Sequence, residues 1–215
     1  MTAQRSPSFR TLVLTALAAA ALAAALGGLA WQRFGGASRT PPVLGELPRF
    51  AFVERSGSPF GTDELAGKIW VADFIFTNCR GPCPAMTAQM RTLQDALRNV
   101  KDLRLLSFSI DPERDTLEVL RAYADRFGAD RERWVFLRGD RAAVHALSVE
   151  GFHLGVGEVD EKDRKPGEDT LFHSQRFILV DGKGRVRGYY DIADADFKAR
   201  LVADVTALAR ERARG

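Results

Sequence analysis

The segment Asp73-Phe74-Ile75-Phe76-Thr77-Asn78-Cys79-Arg80-Gly81-Pro82-Cys83-Pro84 decides how this chain folds. An apolar strand runs into a Gly/Pro loop that carries both cysteines, and a helix starts directly afterwards. Pro84 is acceptable at the first helical position and costly any deeper, which places Cys83 at or next to the N-cap. Unpaired backbone N–H groups and the positive end of the helix dipole favour thiolate over thiol there. Arg80 adds a positive charge nearby. A low thiol pKa suits both redox exchange and metal ligation.

Outward from this segment, hydrophobic periodicity sets out the elements. Phe50–Glu54 reads as a short strand and Lys68–Phe76 as a long apolar one. Met86, Met90, Leu93 and Leu97 share one helical face, predicting a helix from Pro84 to Asn99. Leu103–Ile110 and Trp134–Leu137 are strand-like, and Asp115–Phe127 is helical with Gly128 as its stop. Asp140–Val149 reads as a helix with Asp140 as N-cap. After a charged loop, Glu158–Asp169, the strands Phe177–Val180 and Val186–Tyr190 flank Asp181-Gly182-Lys183-Gly184 as a hairpin. Asp194–Arg212 closes the chain as a helix. Strands alternating with helices predict an α/β domain, a mixed sheet with helices on both faces.

Three residues separate the cysteines, where thioredoxin-type dithiol oxidoreductases have two. The wider loop lets both sulfurs face one ion and still permits a disulfide. Two thiolates make a soft pair that selects Cu(I) or Zn over Mg, Ca or Mn, and tetrahedral zinc would need further ligands. A plain structural disulfide is the competing reading. Met86 and Met90 are soft donors too, but their helical stripe assigns them to the core.

Three histidines are candidates for a third ligand. His145 lies inside a predicted helix among Ala and Leu, and His153 follows Gly151 in an ambiguous strand or loop. His173 stands where the charged loop meets the start of the Phe177 strand, the kind of junction at which sites collect in α/β sheets. Imidazole with two thiolates suits Cu(I), and one added oxygen ligand suits tetragonal Cu(II).

With 215 residues and two Cys, the chain holds one domain plus an extra segment and needs no disulfide framework. The net charge of +3 belongs to that extra segment. Residues 1–45 contain Arg5, Arg10, Arg33 and Arg39 and no acid, leaving 27 basic against 28 acidic residues beyond them. No Arg/Lys-rich run alternates with aromatics, so nucleic acid is excluded as a partner. Thr11–Trp31 is an uncharged run of 21 residues, mostly Ala and Leu, long enough to span a bilayer as a helix. Gly28-Leu29-Ala30 offers a competing signal-peptide cleavage site. The organisation expected is a cytoplasmic segment at 1–10, a membrane anchor or uncleaved signal at 11–31, a linker at 32–45 and a domain at 46–215.

Phe74-Ile75-Phe76-Thr77-Asn78-Cys79 through Cys83-Pro84-Ala85-Met86-Thr87, Ser109-Ile110-Asp111-Pro112-Glu113-Arg114-Asp115-Thr116 and His173-Ser174-Gln175-Arg176-Phe177 together resemble the Sco/SenC family of copper proteins. The resemblance runs from Phe50 to the C-terminus and rests most on the spaced Cys pair with the distant His-Ser. It implies a thioredoxin-like fold, tethered at the bacterial inner membrane by a single span, with the domain in the periplasm. It implies copper, as Cu(I) or Cu(II), held by Cys79, Cys83 and His173, with Asp111 as an acidic residue near the metal. It also implies a role in building the dinuclear copper centre of cytochrome c oxidase. The partners would be the copper-bearing oxidase subunit and other periplasmic copper chaperones or thiol reductases.

On this reading the chain is a metallochaperone rather than an enzyme. The alternative is a thiol-disulfide oxidoreductase that reduces the oxidase cysteines with the redox pair Cys79 and Cys83. Against generic reductase activity stand the wide Cys spacing and the absence of Pro before the Phe177 strand. A peroxidase fits worst, since Phe76 occupies the position three before Cys79 where Thr or Ser is usual.

Overall fold

The computed structural model describes residues 19–22, 24, 40–159, 162 and 169–213. Two compact units are present, Met1–Arg39 and Thr40–Gly215. Residues 19–22 and 24 are helical, and the rest of the expected 11–31 span lies outside the described residues. No helix among the described residues is long and apolar enough to cross a membrane. The last residues of the expected 32–45 linker are built into the second unit. The Pro41 carbonyl accepts two hydrogen bonds from the Arg187 guanidinium, and Leu44 N–H donates to Val186.

The second unit opens with three short strands, β1 (Gly45–Glu46), β2 (Ala51–Glu54) and β3 (Pro59–Gly61). Then come β4 (Ile69–Ile75), α1 (Cys83–Ala96), β5 (Leu103–Ser109), α2 (Leu117–Arg126), β6 (Trp134–Arg138) and α3 (Arg141–Ala146). A small pair follows, β7 (Val156–Glu158) and β8 (Leu171–His173), then β9 (Arg176–Val180), β10 (Arg185–Asp191) and α4 (Phe197–Arg212). Eight strands form one mixed sheet in the order β1-β10-β9-β4-β5-β6-β2-β3, while β7 and β8 form a separate two-stranded sheet. The β4, β5 and β6 strands are parallel, and β9 joins β4 antiparallel. The doubly covered β4 is buried at every position, as its near-continuous apolar run requires.

Local chemistry sets the boundaries. Thr116 caps α2 through its hydroxyl and Asp140 caps α3 through its carboxylate, each accepting from backbone N–H groups of the first turn. Gly128, at φ +64°, turns the chain out of α2. The expected Asp140–Val149 helix changes to a single π-turn over Leu147–Gly151. In the β9–β10 hairpin a Cβ on Gly182 would stand 2.7 Å from the Gly67 carbonyl carbon, so only glycine lets the two loops meet.

Side-chain alternation along β4 sorts the two faces. Trp70 and Phe74 meet Phe152, and Phe74 stacks on Phe108. Asp73 points to the other face with Ser107, its register partner on β5, where Phe177 stacks on Phe197 of α4. Met86, Met90 and Leu93 of α1 have no exposed surface, as their stripe predicts.

Candidate metal centre

Parallel β4 and β5 run in register to Ile75 and Ser109, so the loop after β4 meets the segment leading into α2. Asp115, fully buried just before the α2 cap, clasps that meeting point. Its carboxylate accepts from the Thr77 N–H at 3.2 Å, the Thr77 hydroxyl at 2.5 Å and the Ser109 hydroxyl at 2.5 Å. Burial pushes its pKa up, and the Ser109 and Thr77 donors pull it back. The carboxylate thereby fixes Thr77, in the loop after β4 and two residues before Cys79. From sequence Asp115 reads only as a helix start; its position between a strand end and a helix N-cap is the signal that marks it.

Cys83 is the first helical residue of α1 and has no exposed surface, whereas Cys79 retains 8% in the loop above it. Neither sulfur is in a disulfide. His173 ends β8 at 9% exposure, and its Nε2 lies 2.8 Å from the Cys83 sulfur. Its Nδ1 lies 2.9 Å from the Ser174 carbonyl. A carbonyl can only accept, so Nδ1 carries a proton, and Nε2 is the ring nitrogen turned toward the sulfurs. The Phe76 ring stands edge-on to the imidazole at 6.0 Å and holds its plane.

The donor atoms of Cys79, Cys83 and His173 all lie within 4.8 Å of one another. Ligands at about 2.0–2.3 Å from one ion sit roughly 3.5–4 Å apart, so a shift of about an ångström closes the three on a metal. Among the described residues no further Cys, His, Asp or Glu joins the group. The set is therefore three-coordinate, sulfur-rich and soft, which suits Cu(I) better than tetrahedral zinc.

Placement of the other candidates is plain. His145 and His153 are exposed, the latter with φ +54°. His173 belongs to the separate β7–β8 pair rather than to the start of the Phe177 strand. Asp111 is 1% exposed and faces Arg114 at 3.2 Å and Arg141 at 4.0 Å; it is not among the three clustered donors. Arg141 also pairs with Glu113 and Glu158.

The thiolate sits on the other cysteine from the one the helix dipole favours. Cys79 is the thiol drawn down, to about 5, chiefly by the hydrogen bond from the Cys83 thiol and then by His173 and the backbone N–H groups of Cys83 and Gly81. Cys83 is pushed up by burial first and by the neighbouring Cys79 second. The N-terminal N–H groups of α1 do stabilise a thiolate, but its sulfur is the one outside the helix that they can reach. Cys79 is thus charged, and Cys83 protonated, above about pH 5. Iodoacetamide is expected to label Cys79 well ahead of Cys83, at a rate that falls as pH drops through about 5. Peptide mapping across pH 4–8 reads this directly, and equal labelling of both cysteines at pH 6 would contradict it.

The SCO1/SenC family model matches residues 41–210. The chain is similar to the SCO1 protein homolog of Bacillus subtilis, at 34% identity over 175 residues covering 80% of this chain and 86% of that protein. A protein of Stutzerimonas stutzeri described as copper-binding is 29% identical over 145 residues, covering 66% of this chain and 68% of its own. Among solved structures, BsSco, described as a Sco family cytochrome c oxidase assembly protein with a disulfide switch, aligns with TM-score 0.67 at 31% identity. That alignment covers 80% of this chain and 98% of BsSco.

Proposed function

The chain belongs to the SCO1/SenC family, and from that premise we propose that it binds copper through Cys79, Cys83 and His173 and delivers it during assembly of the dinuclear copper centre of cytochrome c oxidase. The observation that carries this reading is the convergence of two sulfurs and one oriented imidazole nitrogen within 4.8 Å. The donor set fits copper: thiolates and imidazole are soft to borderline ligands, and a three-coordinate site leaves room for an incoming one. The copper-binding description of the Stutzerimonas relative supports the same cargo.

Thr11–Trp31 anchors the chain in the bacterial inner membrane in this reading, with the 46–215 domain in the periplasm. Copper is cargo here. What the protein supplies is the geometry: Ser174 holds the imidazole tautomer, Asp115 the cysteine loop, and burial keeps water from Cys83.

The test is metallation. The full chain in detergent is expected to take up one copper ion per molecule and to load a reduced, copper-free fragment of the copper-bearing oxidase subunit. Failure to bind copper in a competition titration would end the proposal. A second reading has its own observation: a charged Cys79 beside a protonated, buried Cys83 is the arrangement of an attacking thiolate and a resolving thiol. In that case the metal-free dithiol reduces the oxidised acceptor fragment, each turnover leaving a Cys79–Cys83 disulfide and two acceptor thiols.

A further inference from the structure

Among the described residues this centre opens to solvent on the side of Cys79 and His173. Cys83 is wholly enclosed, while Cys79 and His173 line an open cavity of about 340 Å³. An acceptor must bring its own ligand atom within about 2.0–2.3 Å of the metal, so the chain carrying that atom has to lie on the rim of this cavity.

Phe172 stands on that rim, next to His173, at 46% exposure. It is the only exposed Phe, Tyr or Trp among the described residues. Its position is built. Phe172 is in register with Gly157 across the β7–β8 pair, and its ring lies over Gly155 and Gly157, where added Cβ atoms would come within 3.6 and 3.0 Å of it. The two glycines form a flat bed for the ring on the outer face of the β7–β8 pair, opposite the face from which His173 meets the sulfurs, and carry no side chain to cover it. Phe76, Gly81 and Pro82 complete a mostly apolar wall, and the Arg80 N–H ties this loop to Asp169 on the far side.

We propose that Phe172 and this wall are the docking surface for the copper acceptor, receiving an apolar side chain beside the acceptor's thiol ligand. The inference rests on the delivery reading above. A rigid aromatic ring with little entropy left to lose is the side chain that most often anchors an interface. Continuity with the exit path commits the surface to that occupant. Once docked, the acceptor sulfur bonds to copper as the Cys79 sulfur releases it. The acceptor's thiol proton passes to Cys79, and copper keeps its oxidation state.

The experiment uses the full chain in detergent, loaded with Cu(I), and the reduced copper-free oxidase fragment as acceptor. Phe172→Ser is expected to leave copper stoichiometry, affinity and thermal midpoint unchanged while slowing transfer about 10-fold or more, the loss typical of an interface anchor. Phe172→Tyr restores transfer to within about 3-fold of the original chain. Transfer by Phe172→Ser at the original rate overturns the docking surface alone and leaves copper delivery standing. So does a change confined to self-association, which would assign the ring to a second copy of this chain. If the unaltered chain binds copper and transfers none, the delivery reading itself fails, and this inference with it.

Discussion

His173→Ala is expected to lower copper affinity at least about 100-fold while the metal-free domain keeps its fold. The lower bound follows from chemistry: altering a group that merely orients a metal ligand costs about 10–100-fold, and here the ligand itself is removed. Two sulfurs remain, yet two donors leave Cu(I) to recruit solvent or a foreign thiol. The fold survives because β8 pairs with β7 alone and contributes nothing to the eight-stranded sheet. Its contact with Phe76 is edge-on and its hydrogen bond to Ser174 is local. Competition with a Cu(I) chelator measures the affinity, and thermal unfolding of the metal-free protein checks the fold. Affinity within about 3-fold of the original chain would remove His173 from the ligand set.

The parts of this molecule that could be read from sequence are those where one physical cause acts alone. The α1 face was legible because Met86, Met90 and Leu93 sit on a helix whose other side meets water. Strand β4 was legible because burial on both sides leaves a continuous apolar run. Hairpin β9–β10 announced itself through Asp181 and Gly184, whose turn chemistry is local. By contrast, β1, β7 and β8 hold two or three residues each and exist through their partners. A periodicity of two cannot be seen in three residues, so His173 looked like the start of the next strand.

The site divides in the same way. Cys79 and Cys83 share one loop, and their spacing is visible in the chain. His173 and Asp115 reach the site through the fold, and only the strand register shows how close Asp115 comes to the cysteine loop. Asp111, four residues earlier, carries the more conspicuous Asp-Pro signature but spends its carboxylate on Arg114 and Arg141. The charge within the cysteine pair falls on the less obvious sulfur for a related reason. Helix position alone favours Cys83 as thiolate, whereas the accessible surface and the direction of the N–H groups favour Cys79. Burial outweighs the dipole, since a thiolate with no exposed surface forfeits far more hydration than a helix end returns.

Asp73 gives the second large effect, on stability rather than on copper. It lies on β4 with no exposed surface and no hydrogen-bond partner for either carboxylate oxygen. Burial raises its pKa to about 7, with Ser107 across the β4–β5 pair and the His173 imidazole pulling the other way. In the unfolded chain the same group titrates near about 3.9. Below about pH 4 both states are protonated and the side chain costs folding nothing by ionisation. As pH rises toward about 7 the unfolded chain releases the proton while the folded one keeps it, so stability falls. Above about 7 the native carboxyl ionises too and the loss levels off at about 4 kcal/mol, three units at about 1.4 kcal/mol each. Asp73→Asn keeps the shape and removes the proton equilibrium. The stability of the variant relative to the original, both reduced and metal-free, is therefore expected to climb by about 4 kcal/mol between pH 4 and 7 and to be flat above. Urea unfolding at a series of pH values yields the difference curve directly, and other titrating groups cancel from it. A difference that stays constant across that window would mean that the native carboxyl is already ionised at pH 4, so that its charge is met by the polar groups around it.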